Sequence, residues 1–179
     1  MVSNNQLLLS AASSQYMSID PLTTGTTGLT FATWYKSDNS GTFARIFDFG
    51  NGPGEDNINL HKDNNEDRFK LAVVVPGQGQ DFFPDASYTF NTGNVWKHVA
   101  WTLDPAGSGT WTVYINGVPV GSAAARQYPA SKLRSKNYLG KSNYVNEAYL
   151  NGGIKDFRMY NRVLSAAEVN TLFITTQTN

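Results

Sequence analysis

The fold is decided by two neighbouring stretches, Val95-Trp96-Lys97-His98-Val99-Ala100-Trp101-Thr102-Leu103 and Trp111-Thr112-Val113-Tyr114-Ile115-Asn116-Gly117. Large apolar side chains stand at every second position in Val99, Trp101 and Leu103 and again in Trp111, Val113 and Ile115, as in strands that bury one face. Asn116 and Gly117 both tolerate positive φ and stand between two β-rich runs. They predict a two-residue type I′ hairpin that continues into Val118-Pro119-Val120.

Similar short runs rich in β-branched and aromatic residues recur along the chain, separated by clusters of Gly, Asn, Asp and Pro about every 8–12 residues. Residues 49–56 and 76–85 read as loops. The predicted strands are 6–9, 15–19, 29–36, 43–48, 57–61, 68–75, 87–90, 95–103, 110–115, 118–121, 137–140 and 153–160. The pattern predicts an all-β fold, a two-sheet antiparallel jelly-roll sandwich.

One short C-terminal helix is predicted over residues 166–173. Ser165 is a good N-cap, and Glu168 three residues later completes a capping box. Leu164, just before the cap, can pack on Val169. Residues 174–179 are expected to fray.

Length and composition favour a single domain, residues 1–179 with a core of about 5–173, either as a whole protein or as a module of a longer chain. The absence of cysteine excludes a disulfide scaffold, a thiolate zinc site and a cysteine nucleophile.

The formal charges balance, with 14 basic and 14 acidic residues, so no electrostatic signature for nucleic acid is present. The basic residues between Arg126 and Lys141 are interpreted as decoration of loops and strand edges. No apolar run approaches the roughly 18 residues of a membrane span, so no membrane insertion is expected. The first fourteen residues do not resemble a signal peptide.

Three ordered stretches resemble the laminin-G-like jelly-roll family of the concanavalin A-like lectin/glucanase superfamily. Residues 29–36 resemble its early Thr-hydrophobic-x-x-Trp strand. Residues 94–100 with 111–117 are similar to its Trp-x-x-Val-Ala strand and Tyr-x-Asn-Gly hairpin, and 152–169 to its closing strand and helix. Many members carry an acid directly after the closing-strand Ile, whereas Lys155 stands here and Asp156 follows.

Because the superfamily includes glucanases, catalysis has to be weighed. Retaining glycosidases need two carboxyls about 5–5.5 Å apart, and in these glucanases they alternate on one strand. None of the four glutamates, Glu55, Glu66, Glu147 and Glu168, belongs to such an alternation. His98 is expected to be semi-buried and structural. Trp34, Trp96, Trp101 and Trp111 are assigned to core or inter-sheet packing. The sequence therefore predicts no enzyme.

A sugar-binding function fits the residue inventory better, because sugars stack on aromatic rings and their hydroxyls pair with amides, carboxylates and guanidinium groups. Aromatics in polar loops are the informative ones. The alternative is that these rings pack beneath their own loops. The candidate ligand-binding residues are Tyr128, Tyr144, Asn146, Arg126, Phe82 and Phe83.

Calcium is the most plausible metal, because hard cations prefer several oxygen ligands in a flexible loop. The candidate ligands are Asp48, Glu55 and Asp56, with Asn51 and Asn57 nearby, and a second acidic stretch spans 63–67. The resemblance implies a calcium at the sandwich rim without placing it. The alternative is a solvated turn cluster.

These observations together predict a non-catalytic, lectin-like module whose partner is a glycan. Two alternatives stay open: a protein-binding domain, and a structural or attachment domain of a cell-surface or viral surface protein. A glycoside hydrolase is the weakest of the candidates. An extracellular, cell-surface or virion-surface location is favoured, whereas the ligand and the oligomeric state are left open.

Overall fold

The computed structural model describes residues 2–3, 6–38, 40–64 and 66–177. Within these ranges the strands form two large antiparallel sheets and a small one, which confirms the predicted β-sandwich. The seven-stranded sheet has the order β1 (Val2–Ser3), β2 (Gln6–Leu9), β15 (Gly152–Tyr160), β5 (Leu29–Ser37), β10 (Lys97–Asp104), β11 (Thr110–Ile115), β12 (Val118–Ala124). The six-stranded sheet has the order β3 (Met17–Ile19), β14 (Lys136–Leu139), β6 (Arg45–Gly50), β7 (Asn57–Lys62), β8 (Phe69–Val75), β9 (Gln78–Phe82). β4 (Leu22–Thr23) pairs with β13 (Leu133–Arg134).

The core lies between the two large sheets and is built from alternate residues of each strand. Val99, Trp101 and Leu103 of β10 point into it, as the alternation predicts, whereas Ala100 lies on the outer face. Phe31 of the seven-stranded sheet stacks on Phe47 of the six-stranded sheet, with ring centroids 4.7 Å apart. Contacts of this kind bind the two sheets together.

The predicted hairpin between β11 and β12 is confirmed. Asn116 and Gly117 both have positive φ, 49° and 79°, as a type I′ turn requires. The Asn116 side chain also accepts a hydrogen bond from the His98 backbone N–H at 2.9 Å. The turn is therefore tied to the neighbouring strand as well.

The C-terminal helix, α1 (Ala166–Thr175), covers part of the outer face of the seven-stranded sheet. Its capping box at Ser165 and Glu168 is present. Leu164 and Val169 pack with Ala32, Ala100 and Tyr114 of that face. No helix in the described ranges is long and apolar enough to cross a membrane.

Fraying of the tail was predicted to begin at 174, which is wrong for the first residues. The helix continues to Thr175, and the Trp34 indole donates a 2.7 Å hydrogen bond to Thr176 Oγ1. Residues 178–179 of the predicted tail lie outside the described residues.

Two strand predictions need correction. The predicted loop 76–85 contains β9, because Gly77 with φ of 78° closes a tight turn and brings Phe82 opposite Leu71. The predicted strand 87–90 is irregular. Tyr88 N–H instead donates to Asp85 O in a turn, and Phe90 is buried in the core.

The four tryptophans occupy three different environments. Trp101 and Trp111 lie in the core, as predicted. Trp34 is buried between the sheet and α1, where its ring stacks on Phe173. Trp96 is half-buried, and the ammonium groups of two lysines lie within 5.3 Å of its ring centroid. Its assignment to core or inter-sheet packing is therefore wrong.

Candidate functional site: the outer face of the six-stranded sheet

Polar side chains are concentrated on the outer face of the six-stranded sheet. Arg45, His61 and Lys70 stand opposite one another on β6, β7 and β8. Asp48, Asn59 and Ala72 form the next row. Strand alternation sends Phe47, Leu60 and Leu71 into the core and places Asp48, Asn59, His61, Lys70 and Ala72 on the other side of the sheet. Arg45 reaches the same outer face because the register of β6 shifts between Arg45 and Phe47.

The segment 141–149 folds against this face and is anchored by the buried carboxylate of Asp48. The backbone N–H of Asn143 donates to Asp48 Oδ2 at 3.0 Å, and its side-chain amide donates to Oδ1 at 3.1 Å. Asn57 Nδ2 donates to the same Oδ1 at 2.9 Å, and Arg45 Nε and Ser142 Oγ lie 3.4 Å from Oδ2. Asp48 is thus saturated by protein donors.

Arg45 joins the same segment to the sheet from the other side. Its guanidinium binds Glu147 at 2.8 Å and donates to the backbone carbonyl of Phe43 at 2.9 Å. The side chain is only 4% exposed, so both contacts are made away from bulk water. Asp48 and Arg45 therefore hold the segment in a defined position.

One depression, of about 330 Å³, lies within this anchored segment. We call it the tyrosine pocket. Its lining residues are Lys136, Tyr138, Lys141, Ser142, Asn143, Tyr144, Val145, Asn146, Glu147 and Tyr149. Tyr16, which is 43% exposed, extends the aromatic surface and meets Tyr138 edge-on at 5.6 Å. The Lys141 ammonium lies 4.4 Å from the Tyr16 ring and 4.6 Å from the Tyr138 ring.

A second depression, of about 150 Å³, adjoins the tyrosine pocket, and the two share Tyr144 and Glu147. We call it the sheet-face pocket. Its lining residues are Phe43, Arg45, Asn59, His61, Lys70, Ala72, Val74, Asp81, Tyr144 and Glu147. The pair Lys70–Asp81, 2.7 Å apart, crosses from β8 to the edge strand β9.

His61 is a neutral member of this pocket. Burial lowers its pKa well below the ordinary value, and the neighbouring Arg45 adds to the effect. Its Nδ1 lies 2.8 Å from the carbonyl oxygen of Lys62, which can only accept a hydrogen bond. Nδ1 therefore carries the proton, and Nε2 is the acceptor nitrogen.

The structure brings together only two of the predicted ligand-binding residues, Tyr144 and Asn146. Asn146 has a positive φ of 67°, which an asparagine tolerates, at the bend of the segment. Tyr144 is half-buried between the two pockets. Burial, with a contribution from Asp48, raises its pKa, so its hydroxyl stays protonated at neutral pH.

The other four predicted residues are engaged in packing elsewhere. The Tyr128 hydroxyl donates to Gly25 O at 2.8 Å and accepts from Gly28 N–H at 3.2 Å, which ties two loops together. Phe82 packs against the core, with the Arg126 guanidinium 5.9 Å from its ring. Phe83 lies under Arg68 at 4.1 Å. None of the four lines either pocket.

Sequence reasoning missed Tyr16, Tyr138, Lys141, Phe43, Asn59 and His61. Tyr138 carried a usable signal, because it alternates with the inward-facing Asn137 and Leu139 of β14 and must face outward. The remaining residues are brought together by sheet pairing, which spacing along the chain does not reveal.

The candidate calcium ligands do not fit a metal ion in this arrangement. Asp48 is occupied by protein donors, and Asp56 pairs with Lys132 at 3.0 Å. Glu55 is exposed on the loop. In the portion that the structure describes, no group of three His, Cys, Asp or Glu side chains is placed to hold a metal. Calcium binding stays a prediction without structural support.

Fold and sequence together define the class as a concanavalin A-like β-sandwich. The family model Laminin_G_3, described as the concanavalin A-like lectin/glucanases superfamily, matches residues 11–170. The chain belongs to this family, as its sequence motifs suggested. No curated protein is similar enough in sequence to match.

Several solved structures share the fold. The CBM40 of the Ruminococcus gnavus IT-sialidase, bound to α2,3-sialyllactose, is 15% identical with a TM-score of 0.68, covering 94% of this chain and 97% of that one. Domain 4 of AbnA, an arabinanase from Geobacillus stearothermophilus in complex with arabinotriose, is 19% identical with a TM-score of 0.68, covering 88% and 71%. The NanB sialidase of Streptococcus pneumoniae, as its K499G mutant, is 17% identical with a TM-score of 0.72, covering 94% and 27%.

Proposed function

We propose that this protein is a non-catalytic carbohydrate-recognition module that binds glycans on the outer face of the six-stranded sheet. The observation that carries the proposal is the tyrosine pocket itself. Aromatic rings, amides and lysines surround one depression on this face of the sheet. Aromatic faces bind the apolar C–H patches of sugars, and the polar groups around them fix the hydroxyls. Two of the proteins with the same fold were solved with glycans bound.

The lysines of the tyrosine pocket favour an acidic sugar. Among the described residues, neither Lys136 nor Lys141 forms an ion pair with a carboxylate. Glu147, the acid of this pocket, is taken up by Arg45 and by the Ser142 hydroxyl. A ligand carboxylate therefore meets cations without a competing anion.

Asp48 and Glu147 act as anchors in the proposal rather than as catalysts. Asp48 and Glu147 both bind the Arg45 guanidinium and the Ser142 hydroxyl, and Asp48 is fully buried. A glycosidase acid needs a transferable proton directed at the scissile oxygen, and these contacts supply none. A recognition role for such a module fits a location outside the cell or on a cell or virion surface.

A glycan array of the purified protein, run with and without a chelator, tests the proposal directly. We expect a defined set of glycans, enriched in acidic sugars, to bind equally in both conditions. An array that is blank in both would overturn the proposal and favour a protein-binding or attachment role. Loss of binding with the chelator would show that a metal belongs to the site after all.

Two tyrosines provide a matched pair for calorimetry with the strongest array hit. Tyr144→Ala removes a ring shared by both pockets and is expected to weaken binding by about 1–3 kcal/mol. Tyr128→Phe removes only the hydroxyl that ties Gly25 to Gly28. We expect it to lower the free energy of unfolding by about 1 kcal/mol and to leave glycan affinity unchanged. The reverse pattern would move the site to the Tyr128 loop.

A further inference from the structure

The sheet-face pocket contains a buried acceptor that receives no hydrogen bond from any residue that the structure describes. Asn59 is 1% exposed and lines this pocket, and its Oδ1 has no hydrogen-bond partner among the described residues. An unpaired buried acceptor is unfavourable, because it has lost its hydrogen bonds to water and gained none from the protein. A ligand that donates a hydrogen bond here would replace the lost one.

A second acceptor stands one row away. His61 commits its Nδ1–H to the Lys62 carbonyl, so Nε2 presents a lone pair. Asn59 and His61 alternate along β7 and therefore share its outer face. The sheet-face pocket thus offers two hydrogen-bond acceptors, and it favours ligand groups that donate hydrogen bonds.

The charges around these acceptors compensate one another. Arg45 is paired with Asp48 and Glu147, and Lys70 is paired with Asp81. No lining cation is left over for an anionic group, in contrast to the tyrosine pocket. Uncharged hydroxyl donors fit this pocket best.

The aromatic ring of Phe43 lines the sheet-face pocket, and the backbone of Phe43 has an unfavourable conformation. It has φ of 58°, which is unusual for a bulky side chain, and Arg45 holds its carbonyl. Its ring lies 5.9 Å from the His61 ring and lines the sheet-face pocket. Backbone strain of this kind is retained where the surrounding structure fixes it, and functional sites are common examples.

We propose that the sheet-face pocket is a second sugar subsite, in which Asn59 Oδ1 and His61 Nε2 accept hydroxyl hydrogen bonds from a neutral sugar unit. This inference rests on the proposed glycan-binding function and names its ligand class. Because the two pockets share Tyr144 and Glu147, one oligosaccharide fills both, with its acidic unit in the tyrosine pocket and a neutral unit beside it.

The test uses a glycan array that carries acidic and neutral di- and trisaccharides, including sialyllactose and arabinotriose. Each of them is immobilised beside its component monosaccharides. The best binder and its components are then titrated by calorimetry. We expect the oligosaccharide to bind at least about tenfold more tightly than any of its monosaccharides. In Asn59→Ala, the ratio of oligosaccharide to monosaccharide affinity is expected to fall about 3- to 10-fold.

Phe43→Ala provides a second variant, because its half-exposed ring is removed without opening the core. It is expected to lower the same ratio. Asn170→Ala is the matched control and keeps the wild-type ratio, because Asn170 is an exposed residue of α1 beside the Gly117 turn and lines neither pocket. Equal affinity for monosaccharide and oligosaccharide, or a wild-type ratio in both pocket variants, overturns the second subsite while glycan binding stands. Absence of binding to every sugar overturns the proposed function together with it.

Discussion

At the scale of a single residue, the role of Asp48 is determined by the residues that surround it in the fold. In the sequence it heads a Gly-rich acidic loop and has the chemistry of a calcium ligand. In the fold it is fully buried, and its two oxygens accept hydrogen bonds from the backbone and side chain of Asn143. Two of its partners are the nearby Arg45 and Asn57, but Ser142 and Asn143 lie about 95 residues away along the chain, and no local motif encodes those contacts.

Removing this carboxylate leaves the buried Arg45 short of a partner. We expect Asp48→Ala to lower the free energy of unfolding by about 3–5 kcal/mol, as for other broken buried ion pairs. Urea unfolding measures the loss. Glu55→Ala, on the exposed part of the same loop, is the control and is expected to change stability by less than about 0.5 kcal/mol. Equal effects of the two variants would argue against the anchoring role.

At the scale of secondary-structure elements, local sequence signals predicted many of the strands, the hairpin and the helix that the structure contains. Alternation located β5, β10 and β11, the Asn-Gly pair located the hairpin, and Ser165 located the start of α1, because each signal acts over a few residues. β9 escaped prediction since its sequence, Gln78–Phe82, is polar and forms a strand only by pairing with β8. Tyr144 and Asn146 of the 141–149 segment were named as candidates, but the placement of the segment could not be predicted because its contacts with β6 are tertiary.

The packing of α1 makes stability depend on pH through His98. The imidazole is buried beside Trp34 and Phe173, and its Nδ1 lacks a partner among the described residues. Burial lowers its pKa to about 4, the nearby Arg158 acts in the same direction, and Asp156 opposes both. The unfolded chain takes up this proton near the ordinary pKa of 6.5, so stability falls as the pH drops from there to about 4.

We expect this single group to account for about 3 kcal/mol across that window. Urea unfolding near neutral pH and near pH 4 measures it, with His98→Gln as the non-titrating comparison. His61 shifts stability in the same direction and is present in both proteins. A pH-dependent loss as large in His98→Gln as in the wild type would assign the effect to other groups.

At the scale of the whole molecule, the two faces of the sandwich differ in character. The seven-stranded sheet carries α1 on its outer face, whereas the six-stranded sheet carries the polar rows and both pockets. Composition gave no hint of this division, because the charges sum to zero over the chain. The family resemblance predicted the sandwich and left the face that binds unassigned.

Because the net charge of the chain is zero, the salt dependence of glycan binding reports on the charges near the tyrosine pocket. With no net field to steer an anion, salt acts mainly on Lys136 and Lys141 at the tyrosine pocket. We expect affinity for an acidic glycan to drop roughly three- to tenfold between about 0.05 and 0.5 M NaCl. The double variant Lys136→Ala, Lys141→Ala is expected to lose this dependence. An unchanged salt slope in the double variant would place the anion contact elsewhere.

The anchoring of segment 141–149 by Asp48 and Arg45 also has a kinetic consequence. Hydrogen bonds and an ion pair already hold segment 141–149, and with it Tyr144, in position in the folded protein. We therefore expect glycan binding to require little rearrangement of this segment. If the proposed site binds glycans, we expect encounter to limit association, so that affinities for different sugars differ mainly in their dissociation rates.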